Sequence, residues 1–281
     1  MKFIKCVKYD IKQGIIQRWF HILPWLGIVI LFCFDFHKQA EMFMEETGYE
    51  IQLHMADYLC YIFAGMRRYT PSRDIPFEFP VIWVLIFAYA LGVILKYPYE
   101  NLYTHGIQII ARVRRRSVWW FSKCMYVILK LFVLFMILYG GTALYCLAFG
   151  GQLLGLPDYM MMLEASDYIE PLAEWSVGAV IGLFILPVCT AICCGLIQIF
   201  IGLIIRPIFA YISMMAVLIA SAYMQSVFLP GSTAMFIRNA AVNSDGVLSD
   251  NTLVVLIVYS FMAVCAGMII FKRWDILKKE E

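Results

Sequence analysis

Six apolar runs, each comparable to the thickness of a bilayer, constrain this chain more than any other feature. They cover about residues 20–36, 79–95, 124–149, 177–205, 208–229 and 252–271. A helix crosses the hydrocarbon core with about 20 apolar residues, since each residue rises about 1.5 Å and the core is about 30 Å thick. The balance of residue types agrees. The 281 residues are 63% hydrophobic and 15% charged, where a water-soluble domain carries about a quarter charged residues. The runs therefore predict an all-α integral membrane protein with six transmembrane helices. It forms a single transmembrane domain over 1–281, with no soluble domain, internal repeat or low-complexity tract.

The fourth run is too long for one upright helix and too short for two. Its roughly 29 residues reach about 43 Å, so it must tilt, kink at Pro187 or protrude. Arg206-Pro207 then forces a tight turn, because proline disfavours helix in the residue before it. Orientation follows from the basic residues. Lys2, Lys5, Lys8, Lys12 and Arg18 precede the first span, and Lys96 and the Arg112–Lys123 cluster follow the second. Arg206 follows the fourth, and Lys272, Arg273, Lys278 and Lys279 follow the sixth. The opposite segments hold only Lys38, Arg67, Arg68, Arg73 and Arg238. Both termini are accordingly expected in the cytoplasm.

The outer segments are acidic. Gly150 to Trp175 carries Asp158, Glu164, Asp167, Glu170 and Glu174 without a lysine or arginine. Its "YMMMLEASDYIEPLAEW" suits a short helix on the outer surface. The first outer loop, His37 to Glu78, contains "MADYLCYIFAGM", too short to cross and suited either to packing on the span tops or to gating a substrate. At the other end, Met1 to Arg18 reads as an amphipathic helix. Phe3, Ile4, Val7, Ile11, Ile15 and Ile16 recur at helical spacing among Lys5, Lys8, Asp10 and Lys12. Such a helix lies on an anionic leaflet, either as an anchor alone or as an elbow that also flanks a cytoplasmic partner. No small-residue cleavage site follows the first run, so that span is expected to be retained.

Chemistry-bearing motifs are sparse. The cysteines, six of them within apolar runs (Cys124, Cys146, Cys189, Cys193, Cys194, Cys265), have no zinc-ligand spacing and read as small hydrophobes. There is no Walker A loop, HExxH or GxSxG, so no catalytic residue and no metal site is assigned. Carboxylates near the midplane, which ion-coupled transporters use, are lacking, with Asp35 only at the edge of the first span. Lys130 lies about 10 Å into the third span and is expected to snorkel to the cytoplasmic interface. Gly178 with Gly182, and Ala216 with Ala220, are small-xxx-small pairs suited to helix contacts. Tyr139-Gly140-Gly141 reads as a weak point of the third span.

The connection between the second and third spans is the most informative segment. "YENLYTHGIQIIARVRRRSVWWFSK" divides into a polar, helix-competent half and a basic, aromatic half. In the first, Pro98 ends the second span, Tyr99 to Ile110 suits a short helix, and Glu100 in the first turn favours the helix dipole. In the second, Arg112, Arg114, Arg115, Arg116, Trp119, Trp120 and Lys123 suit the headgroup layer. An ordinary positive-inside loop explains the second half. It does not explain a polar stretch too short to fold alone, which reads as a segment held against another protein.

An acid, then a glycine, then "ARVRRRSVWWFSK" leading into the third span resembles the permease subunits of type II ABC exporters. The bacterial members export bacteriocins, toxic peptides and drugs, or confer immunity to them. The layout is similar too: an amphipathic start, six spans, cytoplasmic termini and a broken segment, here Pro230 to Asn251 with "AMFIRNAAV", before the last span. The resemblance implies that the loop is a coupling helix docked on a separately encoded ATPase, with Tyr99, Glu100, Asn101, Tyr103, Thr104, His105 and Gly106 at the contact. It also implies a second permease subunit, identical or related, and a place in the bacterial cytoplasmic membrane. This chain would bind no cofactor, since ATP and Mg would sit in the ATPase, and no nucleic acid. By the same resemblance the cargo path falls on the first, second and fifth spans. The rival expectations are an ATPase-linked sensor or assembly protein that does not transport, and a membrane-embedded enzyme.

Overall fold

The computed structural model describes residues 2–48, 50–69, 79–101, 116–157, 176–242, 246 and 249–273. Among these the architecture is helical, and the one extended pairing is an isolated bridge between His54 and Gln152. In chain order the helices are α1 (Lys2–Asp10), α2 (Ile22–Thr47), α3 (Met55–Phe63), α4 (Val81–Ile94), α5 (Tyr97–Asn101), α6 (Arg116–Ala148), α7 (Leu186–Ile204), α8 (Pro207–Tyr223) and α9 (Ser249–Arg273). Among the described residues, five segments are long and apolar enough to cross a membrane: Trp19–Thr47, Val81–Glu100, Arg116–Ala148, Gly178–Ile204 and Asn251–Lys272. The outer stretch 158–175 expected as a surface helix lies outside the described residues.

Several boundaries differ from the sequence expectation for physical reasons. The first helix does not stop at Phe36. It runs on through "HKQAEMFMEET", a string of good helix formers, until Gly48 adopts φ 71° and closes the end. The third helix begins at Arg116 rather than Cys124 and spans 33 residues, about 50 Å. Its Gly140-Gly141 pair leaves it unbroken. A Cβ at Gly141 would rest 3.5 Å from Leu26 and Val29, so α2 packs closely there. The expected fifth span, 208–229, is α8 alone, with 17 residues or about 25 Å, at the lower limit for a crossing helix.

The end of α8 has a specific cause. Arg238 is buried, and its guanidinium donates to the carbonyls of Ser221 at 2.6 Å and Ala222 at 2.6 Å. These belong to the last turn, where carbonyls lack a helical partner. The same group donates to Met66 O at 2.8 Å and Arg67 O at 3.0 Å in the chain after α3. One side chain thus joins the broken segment, the end of α8 and the chain after α3. The expected half-helix "AMFIRNAAV" is one 3-10 turn, Phe236–Arg238, with all three side chains buried.

The fourth run changes its helical winding just before Pro187. A turn Val177–Val180 passes through a π-helical Ile181–Ile185 into α7, which carries Pro187 in its first turn. There the missing N–H costs least. Gly178 and Gly182 receive the segment around Asn239 rather than another span. Asn239 Nδ2 donates to Gly178 O at 3.2 Å, and a Cβ at Gly182 would lie 1.9 Å from that amide. Ala216 and Ala220 are exposed on the outer face of α8.

The core is built around α6 and α7. Gly195 marks their closest approach, since a Cβ there would meet Leu131, Ile94 and Val127 at 2.7–3.0 Å. Trp25 Nε1 donates to Leu134 O at 2.7 Å, and Gln198 Nε2 to Leu91 O at 3.2 Å. Helix α3, as its length requires, does not cross but packs on the core with Tyr58, Leu59, Cys60 and Phe63 buried. All nine cysteines are free thiols, seven of them buried.

Arg238→Met should lower the apparent melting temperature of the purified chain by several degrees. It leaves several buried carbonyls unsatisfied, each costing on the order of 1–3 kcal/mol. A thermal melt in mild detergent measures this.

Candidate functional site

The site grows from one acid in a basic stretch. Asp10 is the sole carboxylate before Arg18. In α1 and the π-helical turn Ile11–Ile16 that continues it, Cys6, Asp10 and Gly14 recur every fourth residue and share the face turned to the protein. Phe3, Ile4, Lys5, Lys8, Lys12 and Ile16 are exposed on the rest of the helix. The small residues of that stripe are needed for close approach. A Cβ at Gly14 would fall 2.4 Å from the ring of Tyr126.

Asp10 is 2% exposed and meets three donors. Tyr97 OH donates to Oδ1 at 2.9 Å, Lys123 Nζ donates to the same oxygen, and Ser122 Oγ donates to Oδ2. The Lys123 ammonium is itself 1% exposed and lies 4.9 Å from the Tyr97 ring centroid and 5.3 Å from that of Trp119. A buried carboxylate and ammonium with further hydrogen bonds on both oxygens form a self-consistent charge pair. It ties α1 to the base of α6 and to the first residue of α5.

Helix α5 begins at Tyr97, two residues earlier than expected, with Pro98 in its first turn. Its side chains point in distinct directions. Tyr99 turns inward, its OH donates to Ile199 O at 2.8 Å, and the phenol rests on Gly202, where a Cβ would lie 2.1 Å away. Glu100 turns outward and is half-exposed, with a 2.7 Å ion pair to Arg18. The Arg18 guanidinium also sits 5.2 Å from the Tyr97 ring centroid. So α5 is held from three sides: by the end of α1, by the base of α6 and by α7.

The residues read as a headgroup set separate in the same way. Trp119 and Trp120 are buried, not displayed to lipid. Trp119 stacks on Phe271 at 4.8 Å, and Trp120 Nε1 donates to Val264 O at 2.9 Å. Trp120 fits a gap left by Gly267, where a Cβ would clash at 2.1 Å. Arg116 donates to Lys272 O at 3.3 Å, near the end of α9. Lys123 belongs to the Asp10 cluster. These side chains are enclosed because the third helix starts early, which places Arg116–Lys123 on a rigid helix against α1 and α9. Asn101 is the last described residue of α5. Tyr103, Thr104, His105, Gly106, Arg112, Arg114 and Arg115 lie outside the described residues.

Sequence reasoning missed the role of Asp10, although a lone acid spaced by four from a cysteine and a glycine carried the signal. Among the described residues no three histidine, cysteine or acidic side chains gather as a metal site. Compared with known proteins, the chain matches no family model, no curated protein and no solved structure.

Asp10→Ala should destabilise the chain by about 3–5 kcal/mol, because it strands the buried Lys123 ammonium. The double variant Asp10→Ala/Lys123→Met should recover most of that loss. Chemical or thermal unfolding of both variants in the same detergent tests this.

Proposed function

We propose that the chain is the membrane permease subunit of an ATP-driven exporter, working with a separately encoded cytoplasmic ATPase. The observation that supports this best is the tethering of α5. A short polar helix at the basic end is fixed to α1 by the Tyr97–Asp10 hydrogen bond, to the turn before α2 by the Glu100–Arg18 ion pair, to α6 by the Tyr97 ring packed on Tyr126, and to α7 through Tyr99. A push on α5 is therefore delivered to the ends of two long helices rather than absorbed in a slack loop. That is the mechanical property a coupling element needs.

In this reading α8 is the sixth, short crossing helix, and both termini face the cytoplasm, where the basic residues cluster. The location is a bacterial cytoplasmic membrane. A second permease copy or relative completes the path, and ATP with Mg is bound by the partner. Closure of the ATPase on ATP would move α5 and shift the bundle between inward-open and outward-open states. The cargo is an amphipathic molecule such as a peptide or toxin, and the chain itself catalyses no reaction.

Two experiments test the reading. Purification of the chain from its native membrane should bring down an ATPase in stoichiometric amount; a chain that is intact but alone overturns the proposal. Glu100→Lys should leave membrane insertion intact, since a half-exposed ion pair contributes only about 0–1 kcal/mol. It should nevertheless cut cargo-stimulated ATP hydrolysis at least about tenfold, a loss of about 1.4 kcal/mol of coupling. The swap Arg18→Glu/Glu100→Lys should restore part of it. Unchanged stimulation in a correctly inserted single variant removes α5 from the coupling path.

A further inference from the structure

The crossing segment Gly178–Ile204 is wound more widely at one place. In Ile181–Ile185 the Leu186 N–H closes on Ile181 O, five residues back, where α-helical closure would take Gly182 O. One extra residue is thus wound into this turn. The ladder is also short of a donor here, because Pro187 has no N–H to offer Leu183 O. Changing register at such a place breaks few bonds.

Two side chains from other elements hold the wide turn. Tyr139 of α6 donates its OH to Phe184 O at 2.8 Å. Its ring meets that of Phe184 at 5.7 Å and that of Phe63, the last residue of α3, at 6.2 Å. Asn239 donates Nδ2 to Gly178 O at 3.2 Å and covers Gly182, where a Cβ would collide with the amide. Asn239 directly follows Arg238, whose guanidinium joins the end of α8 to the chain after α3. The turn therefore touches both the core helix α6 and the segment that closes α8.

From a wide turn held by two side chains beside a missing proline donor, we infer that Ile181–Ile185 is a register switch. In its second state the Leu186 N–H closes on Gly182 O. Each residue upstream then takes the place of the one before it, a rotation of about 100° with a shift of about 1.5 Å. Leu183 comes to the place of Gly182, and its side chain fills the space that admits Asn239. The Asn239 amide is displaced, and the displacement passes to Arg238 and so to the end of α8. The inference goes beyond the export reading and does not depend on it, since the register is set without ATPase or cargo.

Cysteine pairs in the full chain, held in nanodiscs, report the two registers. A Cβ at Gly182 would lie 3.7 Å from that of Asn239, within the roughly 3.5–4.5 Å that a disulfide spans. Gly182→Cys/Asn239→Cys therefore traps the wide turn, and it removes the amide that a side chain at 182 would strike. Leu183→Cys/Asn239→Cys traps the α-helical register. Early cross-linking under mild oxidation is counted by peptide mass mapping. The first pair should give the major product and the second a minor one. Tyr139→Phe removes the bond to Phe184 O and should raise the second product about fivefold, as the loss of one hydrogen bond provides. If Tyr139→Phe fails to fold, Pro187→Ala returns a donor to Leu183 O and should raise it likewise. Cross-linking of the first pair alone, in both backgrounds, overturns the inference. So does cross-linking of both pairs that neither Tyr139→Phe nor Pro187→Ala alters, since that marks a loose turn rather than a switch.

Discussion

The arrangement of this protein depends on how each buried charge is answered. Moving an ion out of water is expensive unless a counter-charge or a set of dipoles replaces the hydration shell. Asp10 and Lys123 answer each other, with Ser122 and Tyr97 completing the acid's hydrogen bonds. Arg238 is answered by backbone carbonyls, several at the free end of α8 where the helix dipole is negative. Both solutions draw distant parts of the chain together. The first fastens α1 to α5 and α6 at the basic end. The second fastens the chain after α3 and the segment around Arg238 to α8 at the opposite end.

Between these two clasps the packing is set by small residues. Gly195 lets α6 and α7 cross closely, Gly267 receives Trp120, and Gly202 receives Tyr99. Each is a place where a large side chain from one element fills the space a Cβ would occupy on another. The bundle is therefore keyed by complementary shape along its length and locked by charge at its ends. Without a hydrophobic drive between helices in lipid, such close contacts carry much of the association.

Much of the fold was legible from the apolar runs, because bilayer thickness sets helix length directly. The break at Arg206-Pro207 was legible for an equally local reason, the restriction proline places on the residue before it. What escaped was decided at long range. The basic face of Met1–Arg18 suggested a helix lying on lipid, yet its decisive residue was Asp10, whose partner is 113 positions away. Trp119 and Trp120 read as an interfacial belt by composition, and only the nearness of α9 shows them buried. Within the candidate coupling segment, Tyr99 and Glu100 differ in orientation by the roughly 100° step between neighbouring helical residues. That difference could be stated only once α7 and Arg18 were in place. The length of α2 beyond Phe36 was local and readable, since its polar half is rich in helix formers; apolarity alone hid it.

The separation of Asp10 from Lys123 has a consequence for biosynthesis. Helix α1 is made before α6, yet its counter-charge arrives only with that third long helix. Until then the carboxylate has no buried position to occupy, and the helix must wait at the wet surface of the bilayer. Its docking reports that α2, α4 and the start of α6 have all been delivered. The Asp10–Lys123 contact thus closes the basic end of the bundle only once both helices are present.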